Sequence, residues 1–366
     1  RTAFFHSLGL ATISYFNPEI CADYAPVFGA AVARDVLTED GLGQPYVYNA
    51  FVGDHDPPLT PIAQIDFSAP GAHAFFSELL SQAIEDGHDG WMEDFGEYTP
   101  LDSVSANGMP GTQMHNLYPV LYHRSGYEFA RSQSRAVARH IRSGWTGVHP
   151  YAQIVWGGDP VTDWGFDGLS SAVRQALTMG LSGISTWGSD IGGFFTVTSP
   201  ALTPELLTRW VQFGAVSGVM RTKFTGVGGG TGRVQVYDPG QIDNWRRYAK
   251  LRTQLYPYIA AADAAYRRTG MPIMRHLSLL WPGDGRAAAS DDTFMFGPDL
   301  LAAPVLGPGQ RQRDLYLPRG RWIDFWRAVA YKPRSGDLRL RRARLIRGGR
   351  AAALPAPLER LPLLVR

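Results

Sequence analysis

From residue 8 to about residue 280 the chain repeats one pattern: a short apolar run, a polar or acidic residue at its end, then a longer stretch with helical spacing. Residues 10–16 (LATISYF) end at Asn17-Pro18, residues 90–93 (GWME) at Asp94, residues 151–156 (YAQIVW) at Gly157-Gly158-Asp159, and residues 181–186 lead to Asp190. Strand-then-helix units of this kind imply parallel strands joined by crossover helices. Polar residues gathered at the C-terminal ends of such strands predict an α/β fold, a (β/α)8 TIM barrel with its active site on that face. An open doubly wound sheet is the competing arrangement, but the glycine-rich dinucleotide fingerprint after the first strand is absent.

Helices are readable between the runs. Ser68-Ala69-Pro70 opens one carrying Phe75, Leu79, Leu80 and Ile84 at helical spacing. Thr203-Pro204-Glu205 opens another, with a hydroxyl cap, proline at the first position and an acid in the first turn. Residues 241–269 make the longest, with an apolar face of Trp245, Tyr248, Leu251, Leu255 and Tyr258 interrupted at Pro257. After Asp291 the texture changes to short alternating runs separated by Gly and Pro, which read as antiparallel strands. The turn Pro282-Gly283-Asp284-Gly285 marks the expected boundary, giving a barrel over residues 1–284 and a small all-β, sandwich-like domain over residues 285–366. Arg339, Arg341, Arg342, Arg344 and Arg347 cluster in that second part, where a solvated strand face is the simpler reading and an anion site the other.

The charge balance excludes some partners. Against 33 acidic residues stand 35 basic ones, a formal charge of +2, so no large basic field recommends a nucleic acid or an anionic membrane. The single cysteine, Cys21, forbids an intrachain disulfide and a multi-cysteine zinc site. The nine histidines form no HExxH motif, and there is neither a GxSxG elbow nor a Gly-Lys-Ser/Thr phosphate loop. The glycine run over residues 226–232 (GVGGGTG) lacks lysine and hydroxyl partners and reads as a loop.

Four carboxylates, Asp89, Glu93, Asp94 and Glu97, fall within nine residues around Trp91 and Phe95. Desolvating charge costs free energy, so such a cluster at a strand end points either to chemistry or to a structural carboxylate network. A second acid, Asp159, follows Trp156, and a third, Asp190, follows Trp187. Carboxylates on different strands beside tryptophan suit acid/base or nucleophilic work on a sugar, whose C–H faces stack on indole. Asp159 can alternatively cap a helix beginning near Pro160.

The segment Trp91-Met92-Glu93-Asp94-Phe95-Gly96-Glu97 resembles the nucleophile segment on the fourth barrel strand of glycoside hydrolase family 31, the α-glucosidase, α-xylosidase and sulfoquinovosidase family. Its Asp-Phe-Gly-Glu form is similar to the sulfoquinovosidase-like branch. The resemblance continues in order through Arg142-Ser143, Trp156-Gly157-Gly158-Asp159, Gly188-Ser189-Asp190-Ile191-Gly192-Gly193-Phe194 and Met220-Arg221, and then through Phe294-Met295-Phe296-Gly297-Pro298-Asp299 and Trp322-Ile323-Asp324-Phe325-Trp326 in the C-terminal part. It implies a retaining α-glycosidase, α-glucosidase-like, with Asp94 as nucleophile and Asp159 as acid/base, their carboxyls about 5–5.5 Å apart in a competent site. Glu97, Arg142, Trp156, Trp187, Asp190, Arg221 and Lys223 are the implied substrate-binding residues; no metal or organic cofactor is required, and the partner is a carbohydrate. Lys223 stands where much of the family carries histidine, which brings anionic, sulfoquinovosidase-like substrates in as an alternative beside α-transglycosylation. A non-catalytic carbohydrate-binding protein is the reading from a different class. By the same resemblance the chain begins just before the third barrel strand and holds about strands three to eight, and 366 residues with two open sheet edges are expected to fold poorly alone.

Overall fold

The computed structural model describes residues 1–51, 59–196, 199–223, 233–332 and 334–366, and the glycine run at 226–232 lies outside the described residues. The chain divides into two compact units, Arg1–Val155 and Trp156–Arg366.

In the first unit the apolar runs become parallel strands: β1 (Ser14–Phe16), β2 (Gly90–Glu93), β3 (Ala138–Ile141) and β4 (Ile154–Trp156), paired in that order, with the unit boundary falling inside β4. Gly90 is required where β2 meets β3, because a Cβ there would lie 1.9 Å from the Ala138 carbonyl oxygen. The register sets Phe16, Glu93 and Ile141 abreast, so the residues that follow them, Asn17, Asp94 and Arg142, leave along one edge of the sheet. Between the strands run α1 (Ala72–Glu85) and α2 (Gly111–Ser132). Phe75, Phe76 and Leu80 of α1 recur at helical spacing and pack with Trp91, Tyr118 and Tyr122 into one core. Each large apolar side chain taken fully out of water there contributes about 1.5–3 kcal/mol.

The second unit continues the alternation with α3 (Leu169–Leu181), β5 (Trp187–Gly188), β6 (Asp190–Ile191), α4 (Pro204–Ala215) and β7 (Arg221–Thr222), where β6 and β7 pair in parallel with Asp190 opposite Arg221. Thr203 caps α4 as expected, its Oγ1 accepting the Leu206 N–H at 3.2 Å. The stretch read as one long helix is two, α5 (Ile242–Gln254) and α6 (Tyr256–Thr269). Pro257 has no N–H for an intrahelical bond, so it sits instead in the first turn of α6. The antiparallel texture is a six-stranded sheet of β8 (Met274–His276), β9 (Phe294–Phe296), β10 (Leu300–Ala302), β11 (Arg321–Asp324), β12 (Leu345–Arg347) and β13 (Leu363–Val365), in the order β8-β9-β10-β13-β11-β12. Met295, Leu301, Leu317, Trp322 and Leu364 form its core.

One buried charge holds α4 to the end of the chain. Arg209, 1% exposed, donates to the carbonyl oxygens of Gln310 (3.0 Å), Ala356 (2.7 Å), Pro357 (3.2 Å) and Arg360 (3.2 Å), and to Gln212 Oε1 (3.0 Å). A guanidinium is suited to this because its fork carries five N–H donors. Replacing it with an apolar chain strands those acceptors, so Arg209→Met is expected to lower stability by about 3–5 kcal/mol in chemical denaturation. A loss under about 1 kcal/mol would show that the carbonyls find water instead.

Candidate active site

Asp94 sits just past the end of β2 and is 9% exposed. Its Oδ1 accepts from Arg142 Nη1 at 2.8 Å and from the Phe95 N–H at 2.9 Å; its Oδ2 accepts from the Tyr15 hydroxyl at 2.6 Å. Arg142 also donates through Nε to Glu97 Oε1 at 2.8 Å, and its guanidinium lies 4.4 Å from the centre of the Phe95 ring. The carboxylate is thereby fixed in orientation by donors on three strand ends, β1, β2 and β3.

The backbone after Asp94 is unusual. Phe95 has φ of 60° and Gly96 a φ of 103°, so a bulky residue occupies the left-handed region at the edge of the candidate site. The Ser143 hydroxyl, donating to the Phe95 carbonyl at 2.6 Å, and the Tyr122 hydroxyl, donating to the Asp94 carbonyl at 3.1 Å, hold this turn. A Cβ at position 96 would approach Ser143 Oγ to 2.8 Å, so glycine there answers both the dihedral and the space.

Behind the turn lies the neighbouring acid. Glu93 is fully buried and accepts from Arg139 Nε (2.7 Å) and Nη2 (2.6 Å), Trp91 Nε1 (2.8 Å) and His123 Nδ1 (2.8 Å). Burial pushes its carboxyl up, but Arg139 and the hydrogen bonds outweigh that and hold it down at about 2. His123 Nε2 lies 2.9 Å from Ser143 Oγ, and burial lowers the imidazole below its ordinary value against the pull of Glu93. The acid-rich segment thus sorts by residue. Glu93 is the structural carboxylate, and Asp94 is turned out toward the strand ends.

In the second unit, Asp190 is fully buried, with Arg221 Nη1 at 3.1 Å and Lys223 Nζ at 3.9 Å from its two oxygens. Lys223 also stands 4.5 Å over the Phe194 ring, and the Arg221 guanidinium 5.1 Å over Trp156. Trp156 and Trp187 are buried, and Asp159 is half-buried. The next helix, α3, begins at Leu169 with Gly168 as its cap, so no helix near Pro160 is there for Asp159 to cap. The structure therefore brings Asp94, Glu97 and Arg142 together in one unit, and Asp190, Arg221 and Lys223 together in the other.

A model of the glycosyl hydrolases family 31 TIM-barrel domain matches residues 2–262, and one of the family 31 C-terminal domain matches residues 270–366. The chain belongs to glycosyl hydrolase family 31. Its fold is accordingly the family's TIM barrel followed by an all-β domain. Among family 31 relatives it is 32% identical over 330 residues to a sulfoquinovosidase of Escherichia coli (strain K12), covering 88% of this chain and 47% of that protein. It is 32% identical over 262 residues to an alpha-xylosidase of Emericella nidulans, covering 70% of this chain and 32% of the relative. The solved structure of a family 31 sulfoquinovosidase from E. rectale, in complex with an aza-sugar inhibitor, superposes with a TM-score of 0.86 at 26% identity, over 100% of this chain and 52% of that one. The chain spans about half the length of the first of these relatives.

Sequence reading missed Tyr15, His123 and Glu19. Tyr15 lies inside an apolar run, and only its place two residues before Asn17-Pro18 sets it at a strand end. Glu19, on the strand Glu19–Cys21, has Oε1 enclosed with no hydrogen-bond partner among the described residues. Burial, and after it the charge of Glu97, raises its carboxyl from 4.5 to about 8. The folded state then binds a proton that the unfolded chain releases, so this stabilisation is full below pH 4.5 and is lost as pH rises through about 8. Glu19→Gln is expected to flatten the fall in melting temperature across that window and to melt higher than the parent at its alkaline end. Parallel curves for the two proteins would remove Glu19 as the source.

Proposed function

We propose that this protein is a retaining α-glycosidase that hydrolyses O-glycosidic bonds through a covalent glycosyl-enzyme, with Asp94 as nucleophile and Asp159 as acid/base. The observation that carries the reading is the three-donor cradle of Asp94, which leaves an oriented carboxylate at the C-terminal ends of parallel strands, where barrel enzymes do their chemistry. In the first step an Asp94 oxygen bonds to the anomeric carbon as the glycosidic C–O bond breaks, and Asp159 gives its proton to the leaving oxygen. In the second, Asp159 takes a proton from water, the water oxygen bonds to the anomeric carbon, and Asp94 departs as carboxylate. Two inversions give net retention. Arg142 is committed to Asp94 and Glu97 and so orients the nucleophile, and we assign Asp190, with Arg221, to the sugar hydroxyls and Trp156 and Trp187 to the apolar wall.

The assignment of Asp159 has a signature. Asp159→Ala is expected to slow turnover of aryl α-glycosides with poor leaving groups by about 10²–10⁴-fold, while dinitrophenyl glycosides, which need no proton, keep a fast first step. Azide should then accelerate the second step and yield the α-glycosyl azide. Equal losses for both leaving groups, without an azide product, would displace Asp159 from the role.

A sulfonated glycoside is the second reading, supported by the sulfoquinovosidase relatives and by Lys223, whose ammonium suits a sulfonate as a point charge. Lys223 has the Asp190 carboxylate, which it shares with Arg221, as a partner within the protein, and we rank the neutral sugar first because an ammonium already held there need not face a substrate anion. Lys223→Ala, assayed on matched neutral and sulfonated aryl α-glycosides, is expected to lose kcat/KM equally on both. A loss confined to the sulfonated substrate would reverse the order of the two readings.

A further inference from the structure

The basic residues of this chain are unevenly placed. From Arg319 to Arg350 there are eleven basic residues and two acidic ones, a net charge of +9 within a chain whose total is +2, so the remainder is net negative by seven. Within this segment Arg327, Arg342, Arg344, Arg347 and Arg350 line a cleft of about 770 Å³ on the C-terminal β-domain, and among the described residues Asp324 is the only acid lining it. Asp324 Oδ2 is 3.9 Å from Arg327 Nε, at the limit of an ion pair. Among the described residues, Arg342, Arg344, Arg347 and Arg350 have no carboxylate within that distance.

The sheet itself adds a second observation. The β11–β12 register places Arg321 directly opposite Arg347. Like charges in a cross-strand pair destabilise the sheet, and an oxyanion bound at Arg347, the member of the pair that lines the cleft, offsets part of the repulsion. Guanidinium forks match sulfate, phosphate and carboxylate oxygens in pairs, and several unpaired forks around one cleft exceed what a single small anion neutralises.

We propose that this cleft binds a linear anionic glycan, a polysaccharide carrying sulfate or carboxylate groups along its length, as a site separate from the Asp94 region. The volume lies within the range of pockets that enclose a ligand of a few rings. Nucleic acid fits less well. Among the described residues no aromatic side chain lines the cleft for base stacking. The inference is independent of the catalytic assignment.

The test uses the whole protein and a fluorescein-labelled heparin oligosaccharide. Binding is expected at about 50 mM NaCl and at least tenfold weaker at about 300 mM, because charge neutralisation is screened. The triple variant Arg342→Ser, Arg344→Ser, Arg347→Ser should bind at least tenfold more weakly than the parent, with unchanged turnover of an aryl α-glycoside. Removing three charges outside the cleft, by Arg334→Ser, Arg339→Ser and Arg341→Ser, should cost less than about threefold, since screening weakens charges not in contact with the ligand. Should the serine variant unfold, lysines at the same three positions keep the charge and remove the forks, and a loss of at least threefold is expected. Absence of binding at low salt, equal losses from the inner and outer sets, undiminished binding by the lysine variant, or tighter binding of duplex DNA than of heparin would each overturn the proposal.

Discussion

The contact between the Arg142 guanidinium and the Asp94 carboxylate, 2.8 Å long and nearly shielded from water, sets the terms for the rest of the first unit. A charge-assisted bond in a low dielectric is strong only where both partners are held, and both ends are held here. Arg142 is braced by Glu97 and lies against Phe95, while Asp94 is braced by Tyr15 and by the backbone of its own turn. The turn needs Phe95 at positive φ, a conformation that persists only where the surroundings over-determine it. Ser143 and Tyr122 supply that constraint, and Ser143 is reached in turn by His123, Glu93 and Arg139. Two adjacent acids of β2 and its end therefore do different work. Glu93 is neutralised inside the protein and anchors the frame, and Asp94 is what the frame presents.

Much of this was legible in the sequence, and what was legible had a local cause. Apolar runs closed by polar residues made β1, β2 and β4 directly readable, as were the Thr203 cap and the interruption at Pro257. Arg142 came only through the family resemblance, whereas Asp94 was found because it closes an apolar run. Tyr15 was not, since its hydroxyl meets Asp94 across 79 positions and nothing in an apolar run distinguishes a tyrosine that faces a site from one that packs. His123 lies in the middle of α2, where helical spacing accounts for its burial without disclosing Glu93 thirty positions earlier. The sorting of Glu93 from Asp94 needed the same missing information. Spacing located the cluster, but only tertiary contacts decide which carboxylate is neutralised. The helix cap weighed for Asp159 failed for a simpler reason, because the chain runs on to Leu169 before a helix begins.

In the second unit another buried aspartate is held by cations. Asp190 is buried completely and stands against Arg221 and Lys223 across the β6–β7 pairing, so a strand register that is only two residues long delivers an acid and its cations to one place. Arg209 in the same unit is held differently, by carbonyl oxygens and Gln212 without a carboxylate.

The central claim is that Asp94 is the residue that carries the sugar. It is tested most directly by incubating the protein with a fluorinated α-glycosyl fluoride, whose fluorine slows breakdown of the covalent intermediate more than its formation, and then mapping the modified peptide by mass spectrometry. One glycosyl unit esterified to Asp94, released on addition of an acceptor, is the predicted result. A label on another carboxylate, or turnover of the reagent with no covalent adduct at any stage, would contradict the account.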